Sequence, residues 1–245
     1  MILGGTTEAS ELAQAVADRG INAIFSYAGR VARPREQPIA TRTGGFGGAG
    51  GLVDYLKTNT ITHVIDATHP FAQGMSRNAV AACARVGVPL AALSRPAWQR
   101  GEGDQWREVA NIDAAVAALK GPAQSVFLAL GRMHLGAFAA QPRHHYLLRL
   151  VDAPDKDPLP DCEVIVARGP FDLAGDIALM RRHKVQLVVC KNAGGTGARA
   201  KLDAARHLGL PVLMIARPAL PDRQEFARVD QVLDWLSHAG TDLGV

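Results

Sequence analysis

Residues able to do chemistry are concentrated in loops that directly follow short apolar runs. The first is Gly4-Gly5-Thr6-Thr7-Glu8-Ala9, which follows Ile2–Leu3 and opens a helical pattern. Backbone amides at a helix start can hold a pyrophosphate; the glycines permit close approach and the threonine hydroxyls add hydrogen bonds. A tight turn with an N-cap would read the same way. The run Ala23–Ser26 leads into Tyr27-Ala28-Gly29-Arg30, where a site for NAD would offer an acid to the adenosine ribose. There is no acid in this stretch. Ser26 and Arg30, joined by Arg33, instead supply a hydroxyl and cations suited to a 2′-phosphate, so NADPH is the expected cofactor; the alternative is a solvated basic loop. Gly44–Gly51 contains G-x-G-x-x-G beginning at Gly45. Gly45 and Phe46 are expected beside the cofactor, with simple loop flexibility as the competing reading.

A fourth run ends in Val64-Ile65-Asp66-Ala67-Thr68-His69-Pro70, an acid, a hydroxyl and an imidazole close together at a strand end. Ligands gather at the carboxyl ends of strands in open α/β sheets, so Thr68 or His69 is expected to touch a reactant. If Pro70 is the first helical residue, His69 is an N-cap neighbour and nothing more. In the second half, Gly131-Arg132 follows one apolar run. Lys191-Asn192-Ala193-Gly194-Gly195-Thr196-Gly197 follows another and opens a helix containing Lys201. This loop resembles a second anion nest, or else a plain strand-to-helix turn with basic residues. Arg95 and Arg217 add cations at two further strand ends.

The elements that must position these loops alternate in the manner of βαβ units around parallel sheets. Strands are expected at Ile2–Leu3, Ala23–Ser26, Ile39–Thr41, His63–Ala67, Pro89–Ser94, Ser125–Leu130, Tyr146–Val151, Glu163–Ala167, Gln186–Cys190 and Pro211–Ala216. Helical patterns at Glu8–Arg19, Ser76–Val86 and Arg199–Leu208 each end before a glycine, a common helix stop. Gly87-Val88-Pro89 leads to Arg95-Pro96 as Gly209-Leu210-Pro211 leads to Arg217-Pro218, an echo between two halves. The expected architecture is α/β, two Rossmann-like open parallel-sheet lobes with a cleft between them. The polar stretch Trp98–Gln105 is the expected linker. It divides a nucleotide-binding domain, 1–98, from a second domain, 99–245. If the echo is genuine, exchange of equivalent terminal strands between the lobes is conceivable.

A length of 245 residues suits two small domains. The net charge of +4 is spread along the chain, which argues against a nucleic-acid or membrane patch and is compatible with a polyanionic small substrate. Cys83, Cys162 and Cys190 show no metal-ligand spacing and read as buried thiols. No signal segment or long apolar run is evident, so a cytoplasmic location is expected. The Tyr-x-x-x-Lys pair of short-chain dehydrogenases is missing: Val31, Asn59 and Leu150 stand four residues after the three tyrosines. The GxxxxGK[ST] loop of P-loop NTPases is missing too.

The segments ILGGTTEA, VIDATHPFA, SRPAW, KNAGGTGARAKLDAAR and LPVLMIARP, in this order from Ile2 to Pro218, resemble the precorrin-6A reductase family. The resemblance implies an oxidoreductase of cobalamin biosynthesis that uses NADPH to reduce one double bond of a tetrapyrrole. It also implies a hydride passed to a carbon of the conjugated ring and a proton placed on its neighbour, with the macrocycle as electron acceptor. His69 and Asp66 are then the candidate proton donors, with Thr68 beside them. The cofactor set is Gly4, Gly5, Thr6, Thr7, Glu8, Ser26, Arg30, Gly45 and Phe46. Arg95, Arg132, Lys191, Lys201 and Arg217 are expected to grip the macrocycle's carboxylates, helped by Asn192, Gly195 and Thr196. Trp98 is expected either to stack on a face of the macrocycle or to serve as a hydrophobic plug between the lobes. A cobalt-bearing substrate and a non-catalytic carrier of nucleotide or tetrapyrrole are the alternatives, and handover to neighbouring pathway enzymes is an expected partnership.

Overall fold

A computed structural model describes residues 1–29 and 34–238. The strands are β1 (Ile2–Leu3), β2 (Ile24–Tyr27), β3 (Ala40–Thr43), β4 (Val64–Asp66), β5 (Leu90–Leu93), β6 (Trp106–Val109), β7 (Ser125–Ala129), β8 (His145–Leu150), β9 (Cys162–Val166), β10 (Leu187–Lys191), β11 (Val212–Ile215) and β12 (Gln224–Phe226). The helices are α1 (Thr7–Asp18), α2 (Gly48–Thr58), α3 (Gln73–Val86), α4 (Ile112–Ala118), α5 (Leu173–Arg182), α6 (Ala200–His207) and α7 (Val229–His238), with a 3-10 segment at Arg132–Ala140. Two compact units result: Met1–Pro96 together with the chain from Ala219 onward, and Ala97–Pro218.

The first unit is a sheet of order β12-β5-β4-β1-β2-β3. Every pairing in it is parallel. Successive strand residues point to opposite faces, and β1 shows the consequence. Ile2 packs with Leu12, Val16 and Phe25 on the α1 and α7 side. Leu3 packs with Leu52, Leu56, Ala79 and Cys83 on the α2 and α3 side. Burial on both faces is what makes these strands read as short continuous apolar runs.

The second unit is a parallel sheet of order β6-β11-β10-β7-β8-β9. Phe127, Leu147, Val188, Leu202 and Met214 share one core with Trp98 and Trp106. On β8 the preceding residue, Tyr146, packs its ring edge against Phe138 and donates its hydroxyl to Gln141 O at 2.8 Å.

The two sheets share one order once strands are matched through the sequence echo, with β5 corresponding to β11. Their edge strands are exchanged: β6, which follows β5, pairs with β11, and β12, which follows β11, pairs with β5. The continuous second domain expected to run from 99 to 245 is therefore corrected. Gln224, Glu225 and Phe226 join the first sheet opposite Ala91, Ala92 and Leu93, and α7 buries Val232 and Leu233 in the first unit's core. Cys83 and Cys190 are buried, and burial raises both thiols to about 11. Cys162 is only partly covered, unlike the buried thiol expected.

Candidate active site

The first unit's candidate site lies at the carboxyl ends of its strands. Thr6 caps α1: its Oγ1 accepts from Ala9 N at 3.1 Å and donates to Ala67 O at 2.8 Å, tying the loop after β1 to the loop after β4. Helix starts leave amides without intrahelical partners and carry partial positive charge, so Thr7 and Glu8 begin a site suited to an anion. Gly4 passes so close to Phe25 that a Cβ there would sit 2.0 Å from the ring. Gly5 has φ +125°, a conformation that favours glycine, and faces open space. Glu8 Oε2 is 2.7 Å from Arg95 Nη1. Arg95, expected among the substrate cations, is thus engaged at the start of α1.

Ser26 is buried and its hydroxyl accepts from Arg42 Nη1 at 2.7 Å. Arg42 also donates to Gly44 O at 2.9 Å and to Gly45 O at 3.2 Å, and its guanidinium lies 4.0 Å from the Phe46 ring centre. Gly45 and Phe46 therefore shape a loop held by a cation that the sequence reading missed. Arg30 and Arg33 lie outside the described residues. A Cβ on Gly51 would lie 1.7 Å from Phe46 O, which is why the loop can turn so tightly onto α2.

After β4, Asp66 Oδ1 accepts from Thr68 N at 3.1 Å and from Thr68 Oγ1 at 2.6 Å. Its other oxygen accepts from Arg223, and the two side chains are 1% and 7% exposed. Both oxygens of Asp66 act as acceptors, the bonding of a carboxylate. His69 Nδ1 accepts from Phe71 N at 3.2 Å, which puts the proton of a neutral ring on Nε2. Helix α3 starts only at Gln73, so Pro70 is not its first residue and His69 stands in the loop ahead of it.

In the second unit, Asn192 Oδ1 accepts from Trp98 N at 2.8 Å and Asn192 Nδ2 donates to Trp98 O at 3.0 Å. The Trp98 indole N–H donates to Gly195 O at 2.7 Å, and the ring is 5% exposed. Trp98 is thus buried in the second unit's own core, where it fixes the loop after β10. Lys201 is buried with its Nζ 4.8 Å from the Trp98 ring centre and bonded to Ala198 O. Arg217 donates to Asn192 O at 3.0 Å and Ala193 O at 3.1 Å. Gly194 and Gly195 take left-handed φ values of 71° and 73°, and Thr196 is exposed beyond them. Lys191 ends β10 half-buried, and Arg132 donates to Ala153 O at 2.8 Å.

Comparison with known proteins agrees over the whole chain. The family model described as "Precorrin-6x reductase CbiJ/CobK" matches residues 1–237. The precorrin-6A reductase of Rhodobacter capsulatus is 56% identical, covering 100% of this chain and 98% of the relative. That of Rhodococcus erythropolis is 44% identical over 98% and 97%. The cobalt-precorrin-6A reductase of Salmonella typhimurium is 28% identical over 89% and 87%. A solved structure titled "CobK precorrin-6A reductase" superposes with a TM-score of 0.94 at 56% identity, covering 100% of this chain and 98% of that one. The chain belongs to the precorrin-6x reductase family.

Proposed function

We propose that this chain is a precorrin-6A reductase of cobalamin biosynthesis, working in the cytoplasm and taking its hydride from NADPH. The observation that carries this reading is 56% identity to a precorrin-6A reductase along the full length. The lower identity to the cobalt-precorrin enzyme favours the metal-free substrate.

The first unit's residues fit the cofactor. Thr6 organises the helix start for the pyrophosphate, Gly5 leaves room for it, and the buried hydroxyl of Ser26 sits beside a guanidinium where an NAD site would carry an acid. When bound, NADPH supplies a hydride to an electrophilic carbon of the macrocycle, and one proton completes the reduction at a neighbouring carbon. Holding the two reactants in place is worth about 7–11 kcal/mol in favourable cases. Asp66 holds the Thr68 hydroxyl, whose oxygen is left to accept. His69 is the proposed donor: its imidazolium form gives up one ring proton and is left as the neutral ring whose Nδ1 accepts from Phe71 N. Arg132, at the start of the 3-10 segment after β7, and Lys191 and Thr196, at the loop after β10 that Trp98, Asn192, Gly195, Lys201 and Arg217 shape, are the proposed contacts to the macrocycle's carboxylates.

The test supplies purified metal-free and cobalt-bearing precorrin-6A with NADPH or NADH. Loss of nicotinamide absorbance together with a shift of the macrocycle's visible spectrum is expected for the metal-free substrate with NADPH. Binding without turnover of either substrate would mean a carrier. His69→Ala is expected to lower turnover while leaving NADPH affinity in place; full turnover would assign the proton to solvent.

A further inference from the structure

We infer that Arg42 is the residue that selects NADPH over NADH, its guanidinium and the Ser26 hydroxyl together receiving the 2′-phosphate of the adenosine half. The inference rests on the proposed NADPH site of the first unit and adds the residue that gives it selectivity.

Position comes first. In open sheets with this kind of first βαβ unit, the ribose of a dinucleotide lies at the carboxyl end of the second strand, where an acid marks NAD and an arginine accommodates the 2′-phosphate. Strand β2 reads Ile-Phe-Ser-Tyr and offers no acid. Ser26 and Arg42 are register partners on the parallel strands β2 and β3. Parallel partners point to the same face, so the hydroxyl and the cation are adjacent by construction.

The bonding of Arg42 supplies the second argument. Its recorded acceptors are the Ser26 hydroxyl and the carbonyls of Gly44 and Gly45, all neutral. No carboxylate pairs with it among the described residues. A guanidinium has five N–H donors. The three bonds use both hydrogens of Nη1 and one of Nη2, leaving Nε–H and the second Nη2–H without a partner among the described residues. A half-buried cation with neutral neighbours and spare donors is well suited to a phosphate, which a guanidinium grips in a fork.

Third, the fork is held. Its carbon lies 4.0 Å from the Phe46 ring centre and 5.1 Å from that of Tyr55, and these two rings meet edge-on at 5.2 Å. Cation–π contact and three hydrogen bonds fix the plane before any ligand arrives, so less entropy is lost on binding.

The experiment measures dissociation constants of NADPH, NADH and 2′,5′-ADP by calorimetry for the intact chain and for Arg42→Gln, with thermal melting as the fold control. NADPH and 2′,5′-ADP affinities are expected to fall about 10–100-fold in the variant, as for loss of a charged hydrogen-bonding partner, while NADH changes by less than about twofold. Equal loss for NADPH and NADH would overturn the inference and leave Arg42 as a brace for Gly44 and Gly45. Equal affinity of the unaltered chain for both nucleotides would overturn it too. If the unaltered chain bound neither nucleotide, the cofactor reading itself would fail. Should Arg42→Gln melt early, Arg42→Lys keeps charge and loses the fork; its preference for NADPH should still drop, and an unchanged preference would refute the assignment.

Discussion

Glu8 and Arg95 form an ion pair, Oε2 to Nη1 at 2.7 Å, between the first turn of α1 and the segment after β5. An acid in a first turn suits the helix dipole, yet it would repel an anion at the same helix start. Arg95 offsets that charge. Arg95→Ala is expected to weaken NADPH binding by about 3–10-fold, the scale of a partly exposed charge contact. Adding Glu8→Gln should restore most of the loss. Titration of the two single variants and the double variant checks this. Unchanged cofactor affinity with a raised KM for the tetrapyrrole would return Arg95 to the substrate.

Asp66 and Arg223 are buried together. Removing one member of such a pair strands the other charge, at a cost of about 3–5 kcal/mol. Arg223→Ala should therefore lower the melting temperature and disturb the Thr68 hydroxyl that Asp66 positions. The neutral pair Asp66→Asn with Arg223→Met should recover stability without recovering turnover. Melting curves together with initial rates decide between the two effects, and a stable Arg223→Ala protein would show that the pair matters little.

Much of this was legible before any coordinates, and what was not has identifiable physical causes. All ten expected strands exist, most of them as apolar runs that are buried in the sheet and bounded by turn residues; β3, Ala-Thr-Arg-Thr, is largely exposed and holds its place by parallel pairing with β2. Strands β6 and β12 escaped notice because Trp-Arg-Glu-Val and Gln-Glu-Phe are short, polar edge segments whose place is set by main-chain pairing with distant partners. Gly4, Thr6, Asp66, Thr68 and His69 stood out as post-strand residues. Arg42 and Arg223 did not. Arg42 acquires meaning only from the register that sets it beside Ser26, and Arg223 meets Asp66 across 157 positions of sequence. The sequence leaves Trp98 open between a stacking ring and a hydrophobic plug because local sequence cannot show that its N–H finds Gly195 O.

The exchanged edge strands predict how the chain can be cut. A fragment ending at Pro218 loses β12 and α7, uncovering the core around Leu12, Val16 and Leu93 that Val232 and Leu233 close. It should be insoluble or rapidly degraded. The fragment 97–218, which carries β6 and all of its own sheet, should fold. Soluble expression and circular dichroism of both fragments test this, and a stable 1–218 protein would refute it.

Asp104 predicts a pH dependence. Burial pushes its carboxyl up, but hydrogen bonds from Arg206 at 2.8 and 3.0 Å, another from Gly101 N at 2.8 Å, and the charges of Arg206 and Arg199 outweigh burial and leave it below the usual range. A carboxyl depressed on folding contributes stability above its unfolded value near ~3.9, lost as pH falls through the folded value. Arg206 is one-third exposed, so Arg206→Ala should cost only about 1–2 kcal/mol at neutral pH. The gap should narrow below about pH 4. Urea unfolding at both pH values measures it, and a gap independent of pH would rule out this linkage.

Gly4 and Gly5 are predicted to resist substitution for different reasons. A Cβ on Gly4 meets three Phe25 ring atoms at 2.0–2.8 Å, and that ring is fully buried. Gly4→Ala should cost about 1–3 kcal/mol by overpacking and shift the loop that carries Thr6, weakening NADPH binding. A Cβ on Gly5 meets nothing within 4 Å, but φ +125° strains any side chain there, at about 1–3 kcal/mol. Phe25→Leu, which shortens the obstructing ring, should therefore restore stability and cofactor affinity to Gly4→Ala while giving no relief to Gly5→Ala. Equal rescue of both, or of neither, would show that the ring contact is not what forbids a side chain at Gly4.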